Sequence, residues 1–147
     1  MGSLASSVAL CAPKMIPQAL ANCLWACAEL VDEAPIVARA VPALAAHAAT
    51  AAARMKPQEL SNCLWASAQL QQHVPEATVP AQALATCMTY AAHKMKEQEL
   101  INSLWAATCL SHAVPEVLVA VPAIAQHLPG KAIGMVSQNK EATGDRT

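Results

Sequence analysis

Read for alternation of apolar and polar positions, the chain writes one phrase three times. KMIPQALANCLWACAEL runs from Lys14 to Leu30, RMKPQELSNCLWASAQL from Arg54 to Leu70, and KMKEQELINSLWAATCL from Lys94 to Leu110. The copies are forty residues apart, without insertion or deletion. A fixed period of that size is the mark of a repeat in which each unit buries its apolar face only by stacking on a neighbour. Each unit predicts two helices. The first starts at Pro17, Pro57 or Glu97 and ends near Leu30, Leu70 or Leu110, before Pro35, Pro75 and Pro115. Proline suits the first position of a helix, and the residue ahead of a proline is steered away from helical geometry. The second helix starts near Pro42, Pro80 and Pro122 and runs about three turns through alanine-rich sequence.

The expected fold class is therefore all-α: a right- or left-handed α-solenoid of stacked helix pairs with a forty-residue repeat. Residues 4–13 align with 44–53 and 84–93, so residues 1–13 are assigned to the second half of an incomplete repeat. Repeats 1, 2 and 3 are assigned to 14–53, 54–93 and 94–133, and residues 134–147 to a polar, disordered tail. The orphan half-unit points to a fragment of a longer array.

On a helical wheel, the Met, Asn, Ala and final Leu of each phrase fall on one arc, with Trp and Gln at its margin. The inner leucines, Leu20 and Leu24 in the first copy, lie opposite. Two apolar arcs predict a helix covered from both sides. Trp25, Trp65 and Trp105 are accordingly expected in the core, where truncation to Ala costs ~3–5 kcal/mol. Asn22, Asn62 and Asn102 are expected as a buried amide ladder bonded to neighbouring backbone.

Composition sharpens this reading. Of 147 residues 55% are hydrophobic but only 3% aromatic, with no Phe, so the core is built from alanine and leucine and helices approach closely. The net charge of −1 gives no global basic field, and any polyanion contact must come from local placement. Five of the nine basic residues are so placed: Lys14, Arg54, Lys56, Lys94 and Lys96 stand at or just before the start of a first helix. Stacking aligns those starts on one edge, where helix N-termini add partial positive charge. Glu59, Glu97 and Glu99 share that edge.

The six cysteines read as small buried hydrophobes of a reducing compartment, with no CxxC or His pair to complete a zinc site. No metal and no cofactor are expected. His47, His73, His93, His112 and His127 recur at no common repeat position, and no Walker loop, HExxH or GxSxG is present, so the chain reads as a non-enzyme. The most apolar window, Ala34 to Ala53, is interrupted by Pro35, Arg39, Pro42 and His47, and no membrane partner is expected. Gly2 and Ser6 fit the loose myristoylation pattern, but Leu4 onward reads better as helix.

The phrase PQ-x-L-x-N-x-L-W-A-x-A-x-L, at Pro17–Leu30 and Pro57–Leu70, resembles the octotricopeptide repeat and is similar to the helical repeats of RAP-domain, FAST-kinase-like and RNA-editing substrate-binding-complex proteins. The third copy departs at Glu97 and Thr108 but keeps Gln98, Leu100, Asn102, Leu104, Trp105 and Leu110. The resemblance covers about residues 4–133, with a period slightly longer than that family's usual unit. It implies a non-enzymatic α-solenoid that binds single-stranded RNA in chloroplasts or mitochondria and acts in RNA processing, stability or translation regulation. Other protein subunits are further expected partners. If each unit reads about one base, the array spans about three or four nucleotides. Candidate RNA-binding residues are Lys14, Arg54, Lys56, Lys94 and Lys96 for phosphates, with Ala21, Ser61, Ile101, Gln18, Gln58 and Gln98 for bases. The alternative is an armadillo- or HEAT-like protein-interaction scaffold, which near-neutral charge favours; a weaker reading is a non-functional stub of a duplicated gene.

Overall fold

The molecule, a computed structural model, is described over residues 3–128. Seven α-helices follow one another: α1 (Ser3–Cys11), α2 (Pro17–Leu30), α3 (Val41–Ala51), α4 (Pro57–Leu70), α5 (Ala81–Ala91), α6 (Glu97–Leu110) and α7 (Val121–His127). Short 3-10 turns link them: Ala12–Lys14, Pro35–Ala40, Ala52–Arg54, Pro75–Thr78, Ala92–Lys94 and Pro115–Ala120. The described residues form an all-α, helical-repeat-like fold without strands. The last residues of repeat 3, 129–133, and the polar tail lie outside the described residues.

Local chemistry explains the helix boundaries. Ile16 and Lys56 are extended at ψ 158° and 161°, as a residue ahead of proline must be, and Pro17 and Pro57 open their helices. Lys96 holds the same geometry at ψ 160° although Glu97 follows it. There Glu99 does the work, its Oε1 accepting the Lys96 backbone N–H at 2.9 Å; Glu59 does the same for Lys56 at 2.9 Å. This is half of a capping box, since a lysine has no acceptor with which to return the bond. At the other end, the Leu30, Leu70 and Leu110 carbonyls accept the N–H groups of Ala34, Val74 and Val114 at 2.7–2.9 Å. Those three residues have left helical geometry, at ψ 75°, 103° and 83°, ahead of Pro35, Pro75 and Pro115.

Helices α2, α4 and α6 pack side by side, α4 in the middle. Beneath them, α3, α5 and α7 each pack on the first helix of their own pair. Helices α1, α3 and α5 also pack on the Pro35–Ala40, Pro75–Thr78 and Pro115–Ala120 turns of the following pair. Small residues allow the close approach: Ala21, Ala45, Ala48, Ala66, Ala81, Ala85, Ala106 and Ala107 are fully buried. Leucines fill the remaining volume, with Leu20, Leu24, Leu44, Leu60, Leu64, Leu70, Leu84 and Leu110 buried. Two side chains tie α4 to α6: Ser61 Oγ donates to the Glu99 carbonyl at 3.1 Å and Gln71 Nε2 to the Cys109 carbonyl at 3.0 Å.

The helical stretch Pro35–Arg54, with mean hydropathy 1.4, is long and apolar enough to cross a membrane by length and composition, despite the residues that interrupt it in sequence. Its Val41, Leu44, Ala45, Ala48 and Ala51 are buried in the protein core.

Candidate nucleic-acid interface

Helix α4 shows most plainly what the packing leaves open. Neighbours cover it on three sides, burying Glu59, Leu60, Ser61, Cys63, Leu64, Ala66, Ser67, Ala68 and Leu70. What remains is one strip at i, i+4, i+7 and i+11: Gln58, Asn62, Trp65 and Gln69. The corresponding strip on α2 is Gln18, Asn22, Trp25 and Glu29, all exposed. On α6 it is Gln98, Asn102, Trp105 and Cys109, with Gln98 and Trp105 exposed and the other two half-buried. Strip residues fall within a narrow arc of a 3.6-residue helix, opposite the buried Leu20–Leu24–Cys27–Val31 stripe of α2.

This corrects the core assignment of the tryptophans. Trp25 and Trp105 are each 43% exposed and Trp65 is half-buried. The second arc expected from the wheel is split: Ala66, Leu70, Ala106 and Leu110 are buried where first helices meet, while its Gln, Asn and Trp members form a surface strip, because the first helices form a single layer with the second helices on one side only. Trp25 and Trp65 lie against each other, ring centroids 5.9 Å apart and planes tilted by 31°, so the indoles form a continuous aromatic surface across α2 and α4. The asparagines are corrected with them. Asn22 is exposed, Asn62 and Asn102 are half-buried, and Asn102 Oδ1 accepts from Gln98 Nε2 at 2.9 Å rather than bonding a neighbour's backbone.

Two of the base-contact candidates are overturned. Ala21 is buried against α4 and Ser61 is buried with its hydroxyl committed to the Glu99 carbonyl, so neither presents a surface to a ligand. Ile101, at the equivalent position of α6, is half-buried and packed against the core. Ala21 and Ser61 sit on the flank where one first helix meets the next, Ile101 on the matching flank of α6, and none of the three on the open strip. Gln18, Gln58 and Gln98 do lie on the strip and are exposed.

The cationic edge is solvent-facing. Lys14, Arg54 and Lys94 end the 3-10 turns that precede α2, α4 and α6, and Lys56 and Lys96 are N-cap residues; all five are exposed. Among the described residues the contact between a basic and an acidic side chain is His73 Nε2 with Asp32 Oδ1 at 3.3 Å, and no lysine or arginine is paired. Glu59 and Glu99 spend a carboxylate oxygen on the lysine backbone N–H, not on the ammonium. Each first helix thus runs from cation to amide to indole, with Asn62 about 9 Å along the axis from the Lys56 N-cap.

The buried thiols are unreactive. Burial pushes the Cys27 thiol up to about 11, with Cys23 nearby adding to the effect, and the Cys63 thiol up to about 12, with Glu59 adding to it. Such thiols are not nucleophiles at neutral pH. Among the described residues no three His, Cys, Asp or Glu side chains converge on a metal position. A shallow groove of about 430 Å³ lies between α3 and α5, lined by Ala49, Thr50, Ala83, Thr86 and Cys87 and carrying no charged group. No family model matches the chain, and neither a curated protein nor a solved structure matches it.

Proposed function

We propose that this chain is a non-enzymatic single-stranded RNA-binding module, built as an α-solenoid of forty-residue helix pairs. The observation that supports it is the open strip of Gln, Asn and Trp crossing three parallel first helices beside an unpaired row of Lys and Arg. Indole faces stack on any base and contribute ~1–3 kcal/mol per base. Side-chain amides offer both donors and acceptors to base edges. Phosphates run along Lys14, Arg54, Lys56, Lys94 and Lys96, where the N-terminal dipoles of α2, α4 and α6 add to the side-chain charge. Tryptophans and asparagines of the strip replace Ala21, Ser61 and Ile101 as base-facing residues. Action on organellar transcripts rests on the repeat resemblance alone.

The test is binding of a fluorescent, randomised short RNA pool across a salt series. Five phosphate contacts at ~0.7 log units each give a slope of about −3.5, so raising salt from 50 to 200 mM weakens binding by roughly 100-fold. Replacing all five basic residues with Ala flattens the slope and abolishes most of the affinity. Salt-independent binding, or unchanged affinity of the fivefold variant, removes the proposal.

A further inference from the structure

Between α3 and α5 the chain leaves space that it fills elsewhere. The groove of about 430 Å³ there continues, past the shared walls Ala52, Ala53 and Cys87, into a second hollow of about 370 Å³ that ends at Tyr90 and Lys94. Forty positions on in the sequence, Ala53 and Cys87 are replaced by His93 and His127, whose imidazoles meet across α5 and α7 with ring centroids 6.5 Å apart. Forty positions back they are replaced by Pro13 and His47. At the α3–α5 step both side chains are small, and room for a planar ring stays open. About 150 Å³ is enough to hold a benzene-sized ring, so either hollow admits a purine or pyrimidine. The groove walls are distinctive in two further ways. Gln82 stands exposed on α5 where α3 and α7 carry Pro42 and Pro122, and Tyr90, the one tyrosine of the chain, is 77% exposed. No lining residue is acidic, and the mouth opens on the cationic row: Lys94 lines it, Arg54 follows Ala53, and Lys56 precedes Pro57, another wall residue.

We propose that this groove takes one nucleotide of the bound strand, an inference that rests on the single-stranded RNA reading and adds to it a site on the second helices. A base lodged between Ala53 and Cys87 lies about 4.5 Å along α5 from Tyr90 and about 7.5 Å from Gln82. The phenol ring gives the base a face to stack on, as aromatic side chains do for unpaired bases. The Gln82 amide offers a donor and an acceptor to the base edge. The phosphate points out of the mouth to Lys94, with Arg54 and Lys56 beside it. The strand can reach both sites, because the 3-10 turns that end at Arg54 and Lys94 join α3 to α4 and α5 to α6. The cationic row therefore stands between the groove on the second helices and the strip on the first. A peptide carboxylate also suits Lys94, but a slot whose counterpart holds two imidazoles favours a flat heterocycle tethered to an anion, which is a nucleotide.

The test titrates the fluorescent, randomised RNA pool at pH 8, where free histidine is neutral, with the whole chain and two variants. One is Tyr90→Ala. The other carries Ala53→His with Cys87→His, which writes the α5–α7 pair into the groove. Each variant weakens binding by about tenfold, the loss of one stacked base, and neither changes the salt slope, because no cation is removed. The three positions are exposed or half-buried, and circular dichroism establishes that each variant is folded. If the double variant does not fold, Tyr90→Ala decides alone. Wild-type affinity in either folded variant overturns the inference and leaves the RNA reading standing, whereas a wild-type chain that binds no RNA removes both. A labelled Glu-Tyr copolymer peptide forms the second arm. If it binds the wild type but not the double variant, while RNA binds the two alike, the occupant is an acidic peptide and the inference falls.

Discussion

Truncating Trp105 to Ala, set beside Leu64 to Ala, separates a surface tryptophan strip from a tryptophan core. Leu64 is fully buried in the middle helix, with neighbours on three sides that cannot collapse into the space. Its loss removes transfer free energy and leaves a sealed cavity, which together cost ~3–5 kcal/mol. Trp105 is 43% exposed, so a little over half of the indole is withdrawn from water. Taking ~200 Å² for the ring, about 110 Å² is buried, worth ~3 kcal/mol at about 25 cal/mol per Å². Compactness of the denatured chain lowers this to ~2 kcal/mol. No cavity contribution is added, because the vacated space opens to solvent. Urea denaturation followed by circular dichroism measures both variants, with equal slopes required before midpoints are compared. A loss for Trp105→Ala equal to or above that of Leu64→Ala refutes the reasoning and returns the tryptophans to the core. The same variant is expected to weaken RNA binding by roughly tenfold, consistent with the removal of one stacking surface.

Ser103 is fully buried with its hydroxyl unpartnered, at the position where α2 and α4 carry Cys23 and Cys63. Ser103→Cys removes that unsatisfied group and is expected to raise stability by ~1 kcal/mol, read as a higher urea midpoint. Glu59→Ala deletes the carboxylate that holds the Lys56 N–H and is expected to cost ~1 kcal/mol in the same assay, with the loss of helix confined to the start of α4. Alkylation at pH 8 with mass mapping is expected to label exposed Cys11 rapidly and leave Cys27 and Cys63 unreacted in the folded chain. Those two thiols bind protons more tightly folded than unfolded. Their contribution to stability is therefore complete below the ordinary thiol value of 9.0 and declines as pH rises from there toward about 11 and 12. A denaturation midpoint unchanged between pH 8 and pH 10.5 in Cys11→Ser protein contradicts this.

Element boundaries were legible because they are local. The prolines at 17, 57, 35, 75 and 115 restrict their own backbone and that of the residue before them, and the observed starts and ends of α2 and α4 follow. Even Glu97, where the proline is absent, begins α6 at the expected place, since Glu99 supplies the missing restraint through one hydrogen bond. The cationic residues were equally readable, because position relative to a helix start fixes which end of the helix they occupy.

Which arc of each first helix meets water was not contained in the sequence. A wheel shows two arcs with apolar members but cannot say how many neighbours a helix has. Trp, Asn and Gln recur in register whether they face a core or an open strip, so recurrence alone left both meanings standing. Only tertiary packing decided it: second helices lie on one side, sibling first helices on one flank of α2 and α6 and on both flanks of α4, and the side carrying the strip is vacant. That arrangement turned Ala21 and Ser61 from candidate contacts into buried spacers and brought Asn22, Trp25 and Trp105 to the surface. The physical reason is that periodicity fixes angles around a single helix, whereas burial depends on what else occupies the space at each angle.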